Sequence, residues 1–168
     1  LTVQQVNEVE RVINQLLAEE VGLPIEQVVT HMRSPNLAMR PSSGNPGYSK
    51  PGDPGLKAVS LSVLNQVEEH IVRVEGEPFG QPRAGERLGI WVHEAMCNEM
   101  GLQVGEGYDL SLTSGATVPV YIAGVWRELS RYDRYWFDRP DWEFLSSFLI
   151  PRATYEEFAE SLFPEGAG

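Results

Sequence analysis

The apolar residues at the start of the chain recur with the period of an α-helix. They lie three or four positions apart, and polar side chains fill most positions between them. The residues of this stripe are Val6, Val9, Ile13, Leu16 and Leu17. The spacing predicts an amphipathic helix that ends near Gly22, because glycine commonly follows the last helical turn. A helix with one apolar face is expected to pack against another part of the molecule.

Shorter apolar runs rich in β-branched residues predict strands along the rest of the chain. The predicted strands cover residues 25–32, 58–63, 71–74, 87–92, 108–112, 118–126 and 144–150. The runs 108–112 and 118–126 flank a turn sequence and predict a hairpin. Helical segments are predicted at 64–70, at 94–100 and from Thr154 towards Phe163. Strands and helices alternate without the regular βαβ rhythm of about 30 residues, so the predicted fold class is α+β.

Residues 34–57 interrupt this pattern of apolar and polar positions. These 24 residues contain five prolines and four glycines, which break any regular periodicity. A connection of this length without secondary structure is uncommon inside a compact domain, and it is either a mobile excursion or a functional loop. We expect a mobile loop rich in proline and glycine.

Two further soft stretches, at residues 80–85 and 139–141, indicate how the chain is divided. Both contain glycine or proline and lie between predicted strands. They predict a mixed α+β domain with two lobes. The larger lobe is expected to contain residues 1–75 and 142–168, and a smaller β-rich lobe is expected at residues 76–141.

The charge of the chain excludes nucleic-acid binding. The formal net charge is −11, with 13 basic and 24 acidic residues, and such a surface repels phosphate backbones and anionic lipid headgroups. A single cysteine forms no intrachain disulfide and no structural zinc site. No apolar run approaches the roughly 20 residues of a membrane span. The chain begins with Leu1 instead of methionine, so we expect a processed product or a fragment of a longer protein.

The residue types that perform catalysis are present without a recognisable arrangement. His31, His70 and His93 are far apart in the sequence and show no metal-ligand spacing. His93 lies one helical turn before Cys97, so a soluble enzyme using these two residues and nearby carboxylates is the alternative reading. The more common roles are a histidine at a helix start and a small core cysteine. We therefore predict no enzyme, no catalytic residue, no cofactor and no metal site.

The most unusual part of the sequence is residues 126–148, which we call the aromatic segment. It contains eight of the 16 aromatic residues, together with four arginines and five acidic residues. Such a composition is typical of a protein interface, and it equally suits a loop that inserts its rings into the domain. We expect at least two of the four rings at 135, 136, 137 and 142 to be buried. The candidate partner contacts are Tyr132, Tyr135, Trp136, Phe137 and Trp142.

Three motifs in a fixed order resemble those of a known family. They are Leu88–Ala95 (LGIWVHEA), Met100–Leu112 (MGLQVGEGYDLSL) and Val118–Val125 (VPVYIAGV). Together they resemble the extracytoplasmic core of FtsX-like ABC transporter permeases, the family that includes MacB. In that pattern a strand leads into a short helix, then into a hairpin that ends in a Val-x-Gly-Val strand. Glu106 stands where the family often has aspartate.

Two further segments extend the resemblance over residues 72–158. Val74–Phe79 is similar to a turn of the family, and Phe148–Thr154 is similar to its strand and proline before a helix. Tyr135-Trp136-Phe137 is similar to an aromatic motif of some uncharacterised members. The resemblance implies a MacB-like periplasmic core, with a porter-like α+β lobe and a smaller β-rich lobe.

The resemblance also implies a function and a location. The chain would be a non-catalytic, extracytoplasmic domain of a bacterial membrane protein, which couples transport motion to substrate or partner binding. ATP would be hydrolysed by a separate subunit or domain, so no nucleotide or cofactor binds here. The expected partners are the rest of the permease, its ATPase subunit, and a second permease copy or an extracytoplasmic protein. The motifs do not identify the transported substrate.

Overall fold

The computed structural model of the chain describes residues 3–20, 27–42, 57–80, 83–112, 115–137 and 141–162. The helices in these ranges are α1 (Val3–Glu20), α2 (Glu94–Met100), α3 (Asp141–Phe144) and α4 (Arg152–Leu162). The strands are β1 (His31–Arg33), β2 (Leu37–Pro41), β3 (Lys57–Leu64), β4 (Ile71–Gly76), β5 (Arg83–Ala84), β6 (Arg87–His93), β7 (Gly107–Ser111), β8 (Thr117–Glu128) and β9 (Ser147–Leu149). Two 3₁₀ turns cover Val67–Glu69 and Arg134–Trp136. The fold is α+β, as predicted.

The strands form one mixed sheet in which six strands close into a ring. The order around the ring is β8–β7–β2–β3–β9–β6, and β6 pairs back with β8. The pairs β6–β8 and β3–β9 are parallel, and the other ring pairs are antiparallel. β1, β4 and β5 pair with single ring strands at its borders. β8, with 12 residues, pairs with three neighbours and is the central element of the fold.

The interior of the ring contains the main hydrophobic core. Alternate residues of a strand point to the same face, so β3 places Val59, Leu61 and Val63 in this core. All six ring strands contribute to it, and Met96 of α2 and Phe158 of α4 also belong to it. The alternation of apolar residues that predicted the strands is therefore the pattern that fills the ring.

The predicted division into two lobes is wrong for the described residues. β2, from the first predicted lobe, pairs with β7 of the second from Ala38 to Pro41. The inner core likewise combines residues of both predicted lobes, such as Leu61 and Ile90. Stretches rich in glycine and proline show where a chain turns, and they do not determine which strands pair across a sheet.

The predicted mobile loop at 34–57 is also wrong in part. β2 lies inside this range and pairs with both β3 and β7. Leu37 and Met39 are fully buried, because they occupy alternate positions facing the inner core. The five prolines obscured this short alternation. Pro41 is tolerated at the end of the strand, where a missing N–H costs little. Residues 43–56 lie outside the described part of the chain.

The other predicted elements agree with the structure to different degrees. α2 covers the predicted residues, and β7 and β8 form the predicted hairpin, with residues 113 and 114 outside the described ranges. The strand predicted at 144–150 is shorter, because Phe144 ends α3 and β9 covers Ser147–Leu149. Of the strand predicted at 25–32, residues 27–30 have no regular structure.

α1 is the amphipathic helix that the sequence predicts. Its apolar residues Val9, Ile13 and Leu16 are exposed. On its polar side, Arg11 bonds to Glu8. Asn7 accepts a hydrogen bond from Arg152 at the start of α4. Within the ranges that the structure covers, no helix combines the length and the apolar character needed to span a membrane.

Candidate docking surface

The rings of the aromatic segment divide into buried and exposed members. Tyr135 is 1% exposed and Trp136 is 3% exposed, whereas Phe137 is 61% exposed and Tyr132 is 94% exposed. The prediction that at least two of the four rings are buried is therefore confirmed. The side chain of Trp142 lies outside the described part of the structure.

A 3₁₀ turn separates the buried rings from the exposed ones. Asp133 precedes the turn and its carboxylate accepts a hydrogen bond from the N–H of Tyr135 at 3.0 Å. Phe137 follows the turn in the left-handed region, with φ 47° and ψ 48°, and its N–H donates to the carbonyl of Arg134 at 3.0 Å. A capping aspartate and a left-handed closing residue are the usual way to end so short a helix.

The buried rings fix the turn to the outer face of the sheet. The Tyr135 hydroxyl donates to the carbonyl of Asn65 at 2.7 Å, and its ring stacks on His70 with centroids 3.8 Å apart. Trp136 packs on Trp126 of β8 and on Phe144 of α3. The rings of Tyr135, Trp136, Trp126 and Phe144 belong to the second core cluster of the protein, on the opposite face of the sheet from the inner core. Tertiary packing therefore holds the turn in one position.

All three histidines of the chain pair with carboxylates of the aromatic segment. His70 Nδ1 lies 2.6 Å from Asp133 Oδ2, and His93 Nε2 lies 2.9 Å from Glu128 Oε2. The third contact is longer, with His31 Nδ1 3.8 Å from Glu143 Oε1. The partners of His70 and His93 are 63 and 35 positions away in the chain. No sequence spacing indicates such pairs, so sequence reasoning missed this role.

These contacts change the electrostatics of Asp133. The backbone N–H of Tyr135 and the ring of His70 donate to its carboxylate and lower the pKa of Asp133. The ionised carboxylate is therefore part of the folded turn at neutral pH. The imidazole of His70 is held in turn between this carboxylate and the Tyr135 ring.

The exposed charges of the segment differ in sign from its partly buried ones, and the exposed Arg127 lies 3.9 Å from Glu94 of α2. Glu128 and Asp133 are partly buried against their histidines. Within residues 127–137, each exposed charged side chain is an arginine. The exposed residues of this range include Arg127, Leu129, Arg131, Tyr132, Arg134 and Phe137. We call these six residues the outer aromatic surface. Leu129, which sequence reasoning did not select, is 62% exposed.

The hydrogen bonds of His93 and Cys97 join these side chains to other groups and do not pair them as a general base and a nucleophile. His93 is the N-cap of α2 and is buried; its Nδ1 accepts from the N–H of Ala95 at 3.2 Å, and its Nε2 contacts Glu128. The Cys97 thiol donates to the carbonyl of Leu102 at 2.9 Å. Burial raises the pKa of Cys97, and neighbouring carboxylates raise it further. A reactive cysteine needs the opposite shift of its pKa.

A cavity of about 300 Å³ lies beside this site, between β4 and the outer face of β6 and β8. Its lining includes Trp91, Trp126, Phe79, Arg73 and Glu68. Both tryptophans are almost completely buried, so the cavity presents little of their ring surface. Its volume is at the lower limit for small-molecule sites.

Two further observations bear on function. Among the described residues, no group of three or more histidine, cysteine or acidic side chains is arranged to hold a metal ion. The chain matches no protein-family model and no curated protein in the comparisons made.

Proposed function

We propose that the chain is a non-catalytic extracytoplasmic domain of a bacterial ABC transporter permease. In this role it couples the motion of the transport cycle to binding of a substrate or partner protein outside the membrane. The rest of the permease and its ATPase subunit are the expected partners. ATP hydrolysis belongs to a different subunit or domain.

One observation carries this proposal. The motifs that resemble the permease family fall on consecutive elements in the expected order. LGIWVHEA covers β6 and the start of α2, and VPVYIAGV lies in β8 after the β7–β8 turn. Gly105, in the motif between them, has φ +88°, a conformation that glycine adopts without strain. Gly105 thus has a structural reason in this chain.

The candidate site favours a binding role over an enzymatic one. The outer aromatic surface is exposed, and a buried aromatic base holds it in place. Arginine and aromatic residues are enriched in the parts of protein interfaces that contribute most to affinity. His93 and Cys97, the residues of the enzyme alternative, are engaged in a helix cap and in a hydrogen bond to the backbone.

Thiol labelling in intact cells tests the side of the membrane. We would express the full-length protein that contains this chain, free of other cysteines, with Cys97→Ala and Glu86→Cys. Glu86 is exposed in the turn between β5 and β6, remote in sequence from the aromatic segment, so a docked partner is not expected to cover it. A maleimide that does not cross membranes should label this protein in intact cells. The parent with Cys97→Ala alone should remain unlabelled.

Labelling that requires permeabilised cells would overturn the proposal. The gene around the segment gives a second test. Apolar stretches of about 20 residues upstream and downstream are expected for a permease. A start codon and a stop codon directly at the ends of the segment would instead favour the free-standing enzyme with His93 and Cys97.

A further inference from the structure

The outer aromatic surface has the apolar residues of a contact site. Leu129, Tyr132 and Phe137 are exposed within nine residues of chain, next to the buried rings of Tyr135 and Trp136. Isolated exposed apolar residues are common on protein surfaces and need no explanation. Here three of them lie in one short segment that includes the anchored turn Arg134–Trp136. Arginines lie beside them in the sequence, and tyrosine and arginine are enriched among interface hot spots.

Phe137 is held in a conformation that phenylalanine disfavours. Its φ of 47° lies in the left-handed region, where glycine is the residue without steric cost. Its ring is exposed and is not part of either core cluster. The folded domain therefore gains little from this side chain and bears its backbone strain. Strained residues that packing does not require are characteristic of functional contacts.

The base of the surface is preorganised for binding. Tyr135 and Trp136 anchor the turn, and the His70–Asp133 pair fixes its first residue. The side chains of Tyr132 and Phe137 are thus presented on a backbone that needs little further ordering. A rigid binding surface loses less conformational entropy on association, so a small surface can bind measurably.

The charge on this surface identifies the kind of partner. The chain as a whole is acidic, whereas the exposed charged side chains of residues 127–137 are Arg127, Arg131 and Arg134. Arg127 also lies 3.9 Å from Glu94 of α2, and the two acidic residues of this range, Glu128 and Asp133, bond to histidines. We propose that the outer aromatic surface docks a partner protein that presents carboxylates around an apolar depression. The inference rests on the partner-binding part of the proposed function and names the chemistry of that partner.

A protein fits these observations better than a lipid surface does. Arginine and aromatic rings would also suit an anionic membrane, but the net charge of −11 repels such a membrane as the domain approaches. A partner protein avoids this repulsion, because its carboxylates are confined to the contact site and the rest of its surface need not be negatively charged. The two classes of partner give different results in one experiment.

The test uses random twelve-residue peptides displayed on phage and selected on the purified chain. We expect enriched peptides that combine acidic residues with aromatic or aliphatic ones. Synthetic copies should bind the chain, and Tyr132→Ala or Phe137→Gly should each raise Kd by about tenfold or more. Arg131→Glu should also weaken binding, and high salt should reduce the affinity. Val74→Ala, at an exposed apolar residue of β4, and Arg40→Glu, at an exposed arginine of β2, are the matched controls.

Phe137→Gly separates docking from folding. Glycine relieves the left-handed strain, so the variant should melt at the same temperature as the parent or higher while it loses peptide binding. Selected peptides that are basic, that bind Phe137→Gly as well as the parent, or that fail to appear would overturn the proposal. Binding of the chain to phosphatidylglycerol vesicles that depends on Phe137 would overturn it in favour of a membrane. None of these results depends on the maleimide test, so the two proposals fail independently.

Discussion

The imidazole of His93 and the carboxylate of Glu128 meet with Nε2 2.9 Å from Oε2, across the parallel strands β6 and β8. The other ring nitrogen, Nδ1, accepts a hydrogen bond from the N–H of Ala95 at the start of α2. Because Nδ1 accepts, the proton of the neutral ring is on Nε2, which donates to Glu128. One side chain thus joins the cap of a helix to the first acidic residue of the aromatic segment.

Replacing His93 should therefore cost the domain two interactions. His93→Ala should lower the free energy of unfolding by about 2–4 kcal/mol, because it removes a helix cap and a hydrogen bond to a charged group. His93→Asn keeps an acceptor for the cap, so its cost should be smaller by about 1 kcal/mol. Urea unfolding of the three proteins measures both differences.

A double-mutant cycle assigns the remaining cost to the pair. Glu128→Ala alone and together with His93→Ala should give a coupling energy of about 1–3 kcal/mol, since both side chains are largely buried. A coupling near zero would show that the imidazole and the carboxylate do not stabilise each other. Equal stability of the alanine and asparagine variants would argue against the cap.

Acid should loosen the aromatic segment through Asp133. The N–H of Tyr135 and the ring of His70 lower the pKa of Asp133 below its ordinary value of about 3.9. A lowered folded-state pKa gives stability that is present above the ordinary value and is lost as the pH falls through the lowered one. Trp136 lies three residues away, so its fluorescence should shift to longer wavelength over this acidic range.

Asp133→Asn provides the comparison for this acid transition. It should weaken the turn at neutral pH and reduce the dependence of Trp136 emission on acid, because the titrating group is absent. Asp109→Asn, at a carboxylate of β7 outside the segment, should leave the transition unchanged. The same acid midpoint in the parent and in Asp133→Asn would rule out Asp133 as the responsible group.

Burial in the aromatic segment could be predicted because it depends on composition. So many rings in a short segment exceed what a soluble surface exposes together, and Tyr135 and Trp136 are indeed buried. Which rings remain outside depends on the 3₁₀ turn and on the left-handed residue Phe137 that ends it. These are properties of local geometry that the order of aromatic residues does not reveal.

The histidine pairs, and the sharing of core clusters between the two predicted lobes, could not be predicted for a related reason. His70 and Asp133 are 63 positions apart, and the pairing of β4 with β8 brings their parts of the chain together. Sequence periodicity identifies the face of each strand and is silent about its neighbours in the sheet. Leu37 and Met39 illustrate the opposite error, since their alternation was present in the sequence and the surrounding prolines outweighed it.

Cys97 should behave as a packing residue whose thiol reacts slowly with maleimides. Burial, and then the charges of Glu75, Glu106 and Glu94, raise its pKa, so little thiolate exists at neutral pH. Cys97→Ala should cost about 1 kcal/mol, and peptide binding should be unaffected. A maleimide should label the folded protein much more slowly than the urea-unfolded protein at pH 7. Equally rapid labelling of both forms would restore Cys97 as a candidate nucleophile.

Alanine substitutions at two adjacent residues of the aromatic segment should differ strongly in their effect on stability. Trp136→Ala removes a buried ring that packs on Trp126 and Phe144, and it should cost about 3–5 kcal/mol. Phe137→Ala removes an exposed ring and should change the stability by less than about 0.5 kcal/mol. Thermal unfolding of the two variants measures the contrast. Similar losses in both would mean that the Phe137 ring packs against the domain.

The close approach of Gly124 in β8 and Trp91 in β6 allows the packing between these two strands to be tested. A Cβ at position 124 would lie 2.8 Å from Cδ1 and Nε1 of the Trp91 indole and 3.0 Å from the carbonyl oxygen of Glu77. That indole donates to the same carbonyl at 3.1 Å, so Gly124→Ala must displace the ring and disturb its hydrogen bond. We expect a loss of about 1–3 kcal/mol in urea unfolding. Gly80→Ala, where the nearest atom is 3.8 Å away, should have little effect.

Trp91→Phe should make room for the methyl group of Gly124→Ala, so the double variant should lose less stability than the sum of the single losses. Additive losses would mean that the indole does not fill the space that glycine leaves.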